Sequence, residues 1–128
     1  MTDDERQRYL QEVQQRRGYT LDFHKIMAAA DLEWLRNYDQ LATATYYGQR
    51  TLDRKTKELL QTVVLAALRS DVEHIQTHVE LALKEGATPQ EVLEALEAVL
   101  LPMGALGFRA GLKAWAAAVG VEPVEVPG

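Results

Sequence analysis

The chain contains no cysteine, which excludes disulfides, zinc-thiolate sites, iron-sulfur clusters and any thiol nucleophile drawn from its own residues. It also has no window of roughly 18 consecutive apolar residues, the length a membrane-spanning helix needs, and the stretch from Met1 to Arg17 is too densely charged for a secretory leader. Clustered cations are scarce too. The basic runs Arg16-Arg17 and Arg54-Lys55-Thr56-Lys57 read as solvated helix ends. With a formal net charge of −5, the chain lacks the positive stripe from which phosphate-backbone binding draws its affinity. Neither a nucleic-acid nor a membrane partner is expected, and the expected location is the cytoplasm.

What is present is the composition of a soluble globular protein, 47% hydrophobic and 26% charged over 128 residues, enough for one domain with a real core. The apolar periodicity is helical nearly throughout, and no alternating run makes a strand, so the expected fold class is all-α. Tyr9, Leu10 and Val13 form a narrow stripe on a charged first helix, which predicts a helix lying on a partner surface, ended by Gly18. A short helix is expected over about Leu21 to Ala30. Asp31 then caps a longer one with Leu32, Leu35, Tyr38, Leu41 and Ala42 on its apolar face.

Gly48 to Thr51 reads as a loop and Asp53 as the next cap. Leu59 to Leu68 is apolar almost all round, which predicts a central helix covered on most sides. Ser70-Asp-Val-Glu73 has a capping-box pattern, and Gly86 closes the helix that follows. Thr88-Pro89-Gln90-Glu91 starts another, with Val92, Leu93, Leu96, Val99 and Leu100 as its buried stripe. A break is expected near Pro102. Beyond it, Gly104, Gly107 and Gly111 permit close backbone approach within the subunit or across an interface. The tail Val121 to Gly128 is held extended by its prolines.

Chemistry concentrates in Asp71-Val-Glu-His74-Ile-Gln-Thr-His78. At about 100° per residue, Val72, Ile75, Val79, Ala82 and Leu83 make an apolar stripe, with Asp71, His74 and His78 within about 60° of one another along its border. Glu73 points outward and suits capping. A border position fits a general acid or base, because partial burial and a neighbouring carboxylate move an imidazole across neutrality. His78 is the expected proton-transfer residue, tuned by His74 or Asp71. The structural alternative is that His78 bonds a backbone carbonyl at a helix contact. Glu58 is a second candidate carboxylate, though an acidic residue early in a helix is also favoured by the dipole. The spacing of His74 and His78 also suits two ligands of a divalent metal, with Asp71 or Glu58 as a third, although no metal or other cofactor is expected. Trp34, Tyr46, Tyr47 and His24 are candidates to line a pocket, with Tyr47 and Trp34 preferred for substrate binding. Arg109 is a candidate for a substrate carboxylate.

Leu52-Asp-Arg-Lys-Thr-Lys-Glu58-Leu-Leu, the apolar helix after it, His78, and Ala82-Leu83-Lys-Glu-Gly86-Ala-Thr88-Pro-Gln-Glu91-Val together resemble the carboxymuconolactone decarboxylase family. That superfamily includes the alkylhydroperoxidase D-like proteins. The resemblance implies a single helical domain of six to eight helices over residues 1–128, with an N-terminal arm to about residue 30, a family core over about 31–120 and a tail over 121–128. It also implies assembly into trimers or hexamers. The peroxidase branch carries Cys-x-x-Cys-x-x-x-His. Laid onto His78, its cysteine positions fall on Asp71 and His74, neither of which can attack a peroxide as a thiolate does. The thiol-free branch is closer in kind, which implies a lyase or isomerase acting on a small anionic lactone or keto acid. The alternative is an oligomeric small-molecule-binding protein that has lost the chemistry.

Overall fold

A computed structural model describes residues 2–128. The described residues form eight α-helices and no strand, the all-α class expected. The chain divides into two compact units, residues 2–48 and 49–128.

The first unit holds α1 (Asp3–Arg17), α2 (Asp22–Ala30), α3 (Leu32–Ala42) and a π-helical turn, Thr43–Tyr47. Thr2 and Asp31 cap α1 and α3 by accepting the Glu5 and Trp34 N–H groups, and Gly18 closes α1 as expected. Tyr9 and Val13 of α1 are buried with Ala28, Leu32 and Leu35. The narrow stripe on α1 is therefore taken up inside this unit and is not left for a partner. On α3 the buried face is Leu32, Leu35 and Asp39, whereas Tyr38 and Leu41 are exposed. The expected apolar face is rotated because a carboxylate occupies it.

Asp39 can sit there because it is fully partnered. Tyr9 donates its hydroxyl to one carboxylate oxygen and Arg17 reaches the other at 2.5 Å. Arg17 is thus buried in an ion pair and is not the solvated helix end its sequence context implied. His24 completes the cluster, with Nδ1 accepting the Leu21 N–H and Nε2 2.7 Å from an Arg17 nitrogen. Burial first, and the Arg17 charge second, hold the His24 pKa below its ordinary value of 6.5. Burial pushes Asp39 up to about 6.

A folded-state pKa below the unfolded one makes His24 stabilising above 6.5, a contribution lost as pH falls through the folded value. Asp39 runs the other way, its contribution growing as pH falls below about 6. Comparison with His24→Asn, which keeps a cap acceptor and cannot titrate, cancels the Asp39 share. Thermal melts should show wild type losing ground to this variant below pH 6.5, and parallel curves would exclude His24 as an acid-sensitive group.

The second unit holds α4 (Arg54–Ala67), α5 (Val72–Lys84), α6 (Pro89–Ala98), α7 (Leu100–Met103) and α8 (Ala105–Val119). Helices α4, α5 and α8 pack on one another, with α6 against α8. Their core is Ala66, Ile75, Val79, Ala82, Ala87, Val92, Leu96 and Ala114. Trp115 on α8 donates its indole N–H to the Pro89 carbonyl at 2.8 Å, tying α8 to the start of α6. That start is the expected Thr88/Glu91 capping box with Pro89 in the first turn.

Several details differ from expectation. Helix α4 is not covered on most sides, because Leu60, Val64 and Leu68 form an exposed row one turn apart. Leu100 is likewise exposed, so the α6 stripe ends in Val92 and Leu96 with Leu93 and Val99 half-buried. The helix breaks at Val99, before Pro102, which lies inside the short α7. Proline disfavours helix in the residue before it and removes a donor, so the disturbance falls upstream of the ring.

Gly86, at φ 105°, takes the conformation a Cβ disfavours and lets the Ala87 N–H reach the Ala82 carbonyl at 2.9 Å. Gly107 and Gly111 face α4 and α6 within this unit, since a Cβ at either would collide with Ala66 or Leu96. For these two the close approach is inside the subunit, whereas a Cβ at Gly104 would meet nothing within 4 Å. The tail beyond Gly120 is exposed and has no regular secondary structure. No helix among the described residues is long and apolar enough to cross a membrane.

Candidate functional site

The site starts from two caps. The Asp53 carboxylate accepts the Thr56 N–H at 2.8 Å, fixing where α4 begins. From that start Arg54 and Glu58 fall four residues apart on one face. Asp71 does the same for α5, accepting the His74 N–H at 2.9 Å. The cap is thus Asp71 and not Ser70 or Glu73, because the helix opens at Val72. One residue of register places Ile75, His78, Val79 and Ala82 on the buried face of α5, which packs directly on α4.

Packing brings Glu58 and His78 together. His78 Nδ1 lies 2.9 Å from Glu58 Oε2, with the carboxylate fully buried and the imidazole nearly so. Glu58 Oε1 lies 2.6 Å from Arg54 Nη2. A buried carboxylate needs compensation, and this one has a guanidinium on one oxygen and an imidazole on the other. With Arg54 supplying the counter-charge, Glu58 is the acceptor and His78 donates Nδ1–H. The ring's lone pair is then on Nε2. Thr62, one turn further along α4, donates its hydroxyl to the Glu58 carbonyl at 2.9 Å and is also buried.

His74 is half-buried. Its ring centroid stands 5.4 Å from that of His78, and its Nδ1 lies 3.3 Å from Ser70 Oγ. The structure therefore gathers His78, Glu58 and His74. Asp71 is present at the helix start, but its carboxylate is exposed and engaged in capping; Glu58 is the carboxylate that faces the imidazole. Among the described residues no three or more His, Asp or Glu side chains are grouped to hold a metal ion.

Arg54 was missed, being read from sequence as part of a solvated basic run. Its four-residue spacing to Glu58 was the available signal. Lys55 of that run reaches Glu91 at 3.0 Å, and Lys57 is buried.

The remaining candidates lie elsewhere in the chain. Tyr47 and Trp34 belong to the first unit. The Tyr47 hydroxyl is 2.9 Å from that of Tyr19, Arg17 lies over its ring, and Tyr46 packs beside it. Trp34 stacks on Tyr38 and meets Phe23 edge-on at the surface. His24 is in the buried ionic cluster described above, and Arg109 is exposed on α8. A groove of about 830 Å³ lies in the first unit. Glu12, Arg16, Arg36 and Asp39 are among the residues lining it, and no expected site residue is.

A model of the carboxymuconolactone decarboxylase family matches residues 33–117, a span that includes α4, α5 and all of Arg54, Glu58, His74 and His78. Comparison with curated proteins and with solved structures gives no match.

Proposed function

The chain belongs to the carboxymuconolactone decarboxylase family, and on that premise we propose that it is a thiol-free lyase or isomerase acting on a small anionic lactone or keto acid. His78 is its proton-transfer residue. The observation that carries this reading is the buried Glu58–His78 pair at 2.9 Å. A carboxylate that holds the imidazole by Nδ1 fixes its tautomer and puts the basic lone pair on Nε2, the nitrogen proposed to exchange a proton with a substrate. Decarboxylation of a β-keto acid leaves an enolate whose carbon must be protonated, and lactone isomerisation moves a proton between carbons. Both need one well-placed imidazole. The chain holds no cysteine thiol to run the peroxidase chemistry of the thiol branch.

Assembly belongs to the same proposal. The exposed row Leu60, Val64 and Leu68 borders an apolar groove of about 220 Å³ lined by Val63, Val64, Ala67, Val99, Pro102 and Met103. A second copy of the chain is the partner proposed for this face, within a trimer or hexamer.

The test is turnover of a panel of lactones and β-keto acids, carboxymuconolactone included, by protein whose mass in solution is measured in parallel. Turnover that drops about 10²-fold or more in His78→Asn, with the assembly intact, supports the proposal. An unchanged rate removes His78 from the mechanism. A well-folded protein silent on every substrate favours the binding-protein alternative, and a monomer overturns the assembly.

A further inference from the structure

We infer that His74 is a relay residue, a second imidazole that carries protons between His78 and solvent. The inference rests on the reading of His78 as the proton-transfer residue and adds the route by which that residue is reloaded.

The geometry is a file of groups graded by exposure. Glu58 is fully buried and His78 almost so, while His74 and Ser70 are half-buried. Glu58 Oε2 stands 2.9 Å from His78 Nδ1, the tilted rings of His78 and His74 have their centroids 5.4 Å apart, and His74 Nδ1 lies 3.3 Å from Ser70 Oγ. Two imidazoles that are neighbours on one helix face can exchange a proton through a hydrogen bond or a bridging water. The outer end is fixed by an unusual turn. Arg69, between α4 and α5, is held at φ 54°, a left-handed conformation that a residue with a Cβ adopts only at a cost. The turn is closed by the Ser70 N–H donating to the Leu65 carbonyl at 3.0 Å, which leaves the serine hydroxyl beside His74.

The reaction gives the relay its purpose. When a keto acid loses carbon dioxide, the C–C bond electrons stay on the enolate and its carbon takes a proton from the His78 imidazolium. One proton from water is consumed per turnover, and the nearly buried His78 must be reprotonated before the next. His74 has the right chemistry to hand that proton inward, and Ser70, with a hydroxyl that both donates and accepts, has the right chemistry to pass it from solvent. Isomerisation consumes no proton and depends on the relay less.

The substrate-free test is the rate at which the His78 ring N–H exchanges with water, read by NMR in wild type and His74→Gln. A relay predicts slower exchange when His74 is removed, by about 10-fold or more. An unchanged His78 exchange rate in a folded His74→Gln overturns the relay. This arm decides the relay even if no substrate of the panel is turned over, an outcome that removes the proposed function instead. Where decarboxylation is found, kcat of His74→Gln should fall about 10²-fold at unchanged KM and recover on adding free imidazole, with Ser70→Ala giving a smaller loss of the same kind. A folded His74→Gln with unchanged kcat, or a loss that imidazole does not restore, overturns it.

Discussion

Glu58→Ala should destabilise the protein by about 3–5 kcal/mol, the cost of removing one partner from a buried charge network. Arg54 loses the oxygen it contacts at 2.6 Å and His78 the one at 2.9 Å, both at a fully buried position. Denaturant unfolding measures the loss directly, and a change under about 1 kcal/mol, as at an exposed ion pair, would show that the carboxylate is solvated. Glu58→Gln separates stability from chemistry. An amide keeps the shape and can still accept from Arg54, but its NH₂ then faces Nδ1, which must become the acceptor. The ring is forced to carry its proton on Nε2, where it can no longer take one up. Folding should suffer by only about 1–3 kcal/mol, whereas turnover should fall on the order of 10⁴-fold, as when an imidazole is locked in the wrong tautomer. Activity retained in Glu58→Gln would disconnect the pair from the reaction.

The second large effect lies where α8 crosses α4 and α6. Gly107→Ala and Gly111→Ala each gain about 1 kcal/mol in helix propensity, yet both should destabilise. At Gly107 the new methyl would sit 2.8 Å from the Ala66 carbonyl oxygen and 2.7 Å from Met103 Cγ; at Gly111 it would sit 2.7 Å from Leu96 Cδ2 and 3.0 Å from Ala66 Cβ. Overpacking of this kind costs about 1–3 kcal/mol. Gly107→Ala should be the worse of the two, because one obstacle is backbone and cannot rotate away. The Gly111 obstacle is mainly one side chain, which makes a rescue possible. Leu96→Ala alone opens a cavity in the core and costs about 2–5 kcal/mol, but combined with Gly111→Ala the methyl enters that space. Stability measured for the single and double variants should therefore be less than additive at Gly111/Leu96 and additive at Gly107/Leu96. Additivity at both would mean that α8 shifts away from its neighbours.

These outcomes depend on features legible in the chain to different degrees. Helix starts were the most legible, because a cap needs only a side chain three residues before the N–H it accepts. Asp31, Asp53 and Thr88 all cap where their spacing implied. The start of α5 slipped by one residue because Ser70 and Asp71 are both good caps, and only the turn through Arg69 decides between them. The wheel through Asp71, His74 and His78 put the imidazoles on the border of the apolar face. It could not show which carboxylate, Asp71 beside them or Glu58 twenty residues away, the buried ring would meet.

By itself, then, the sequence determined an all-helical protein without thiol chemistry, the positions of most helix ends, and a pair of histidines one turn apart. Caps, periodicity and composition act over a few residues, so no knowledge of packing is required to read them. Only the tertiary structure decided that α4 lies against α5, and with it that Glu58 faces His78, that Arg54 faces Glu58, and that Asp71 is spent on capping. The same holds for burial of Arg17, His24 and Asp39 together, and for the bare face of α4. Burying a charge is favourable only when a partner arrives from another element, and which element arrives is set by the packing of whole helices.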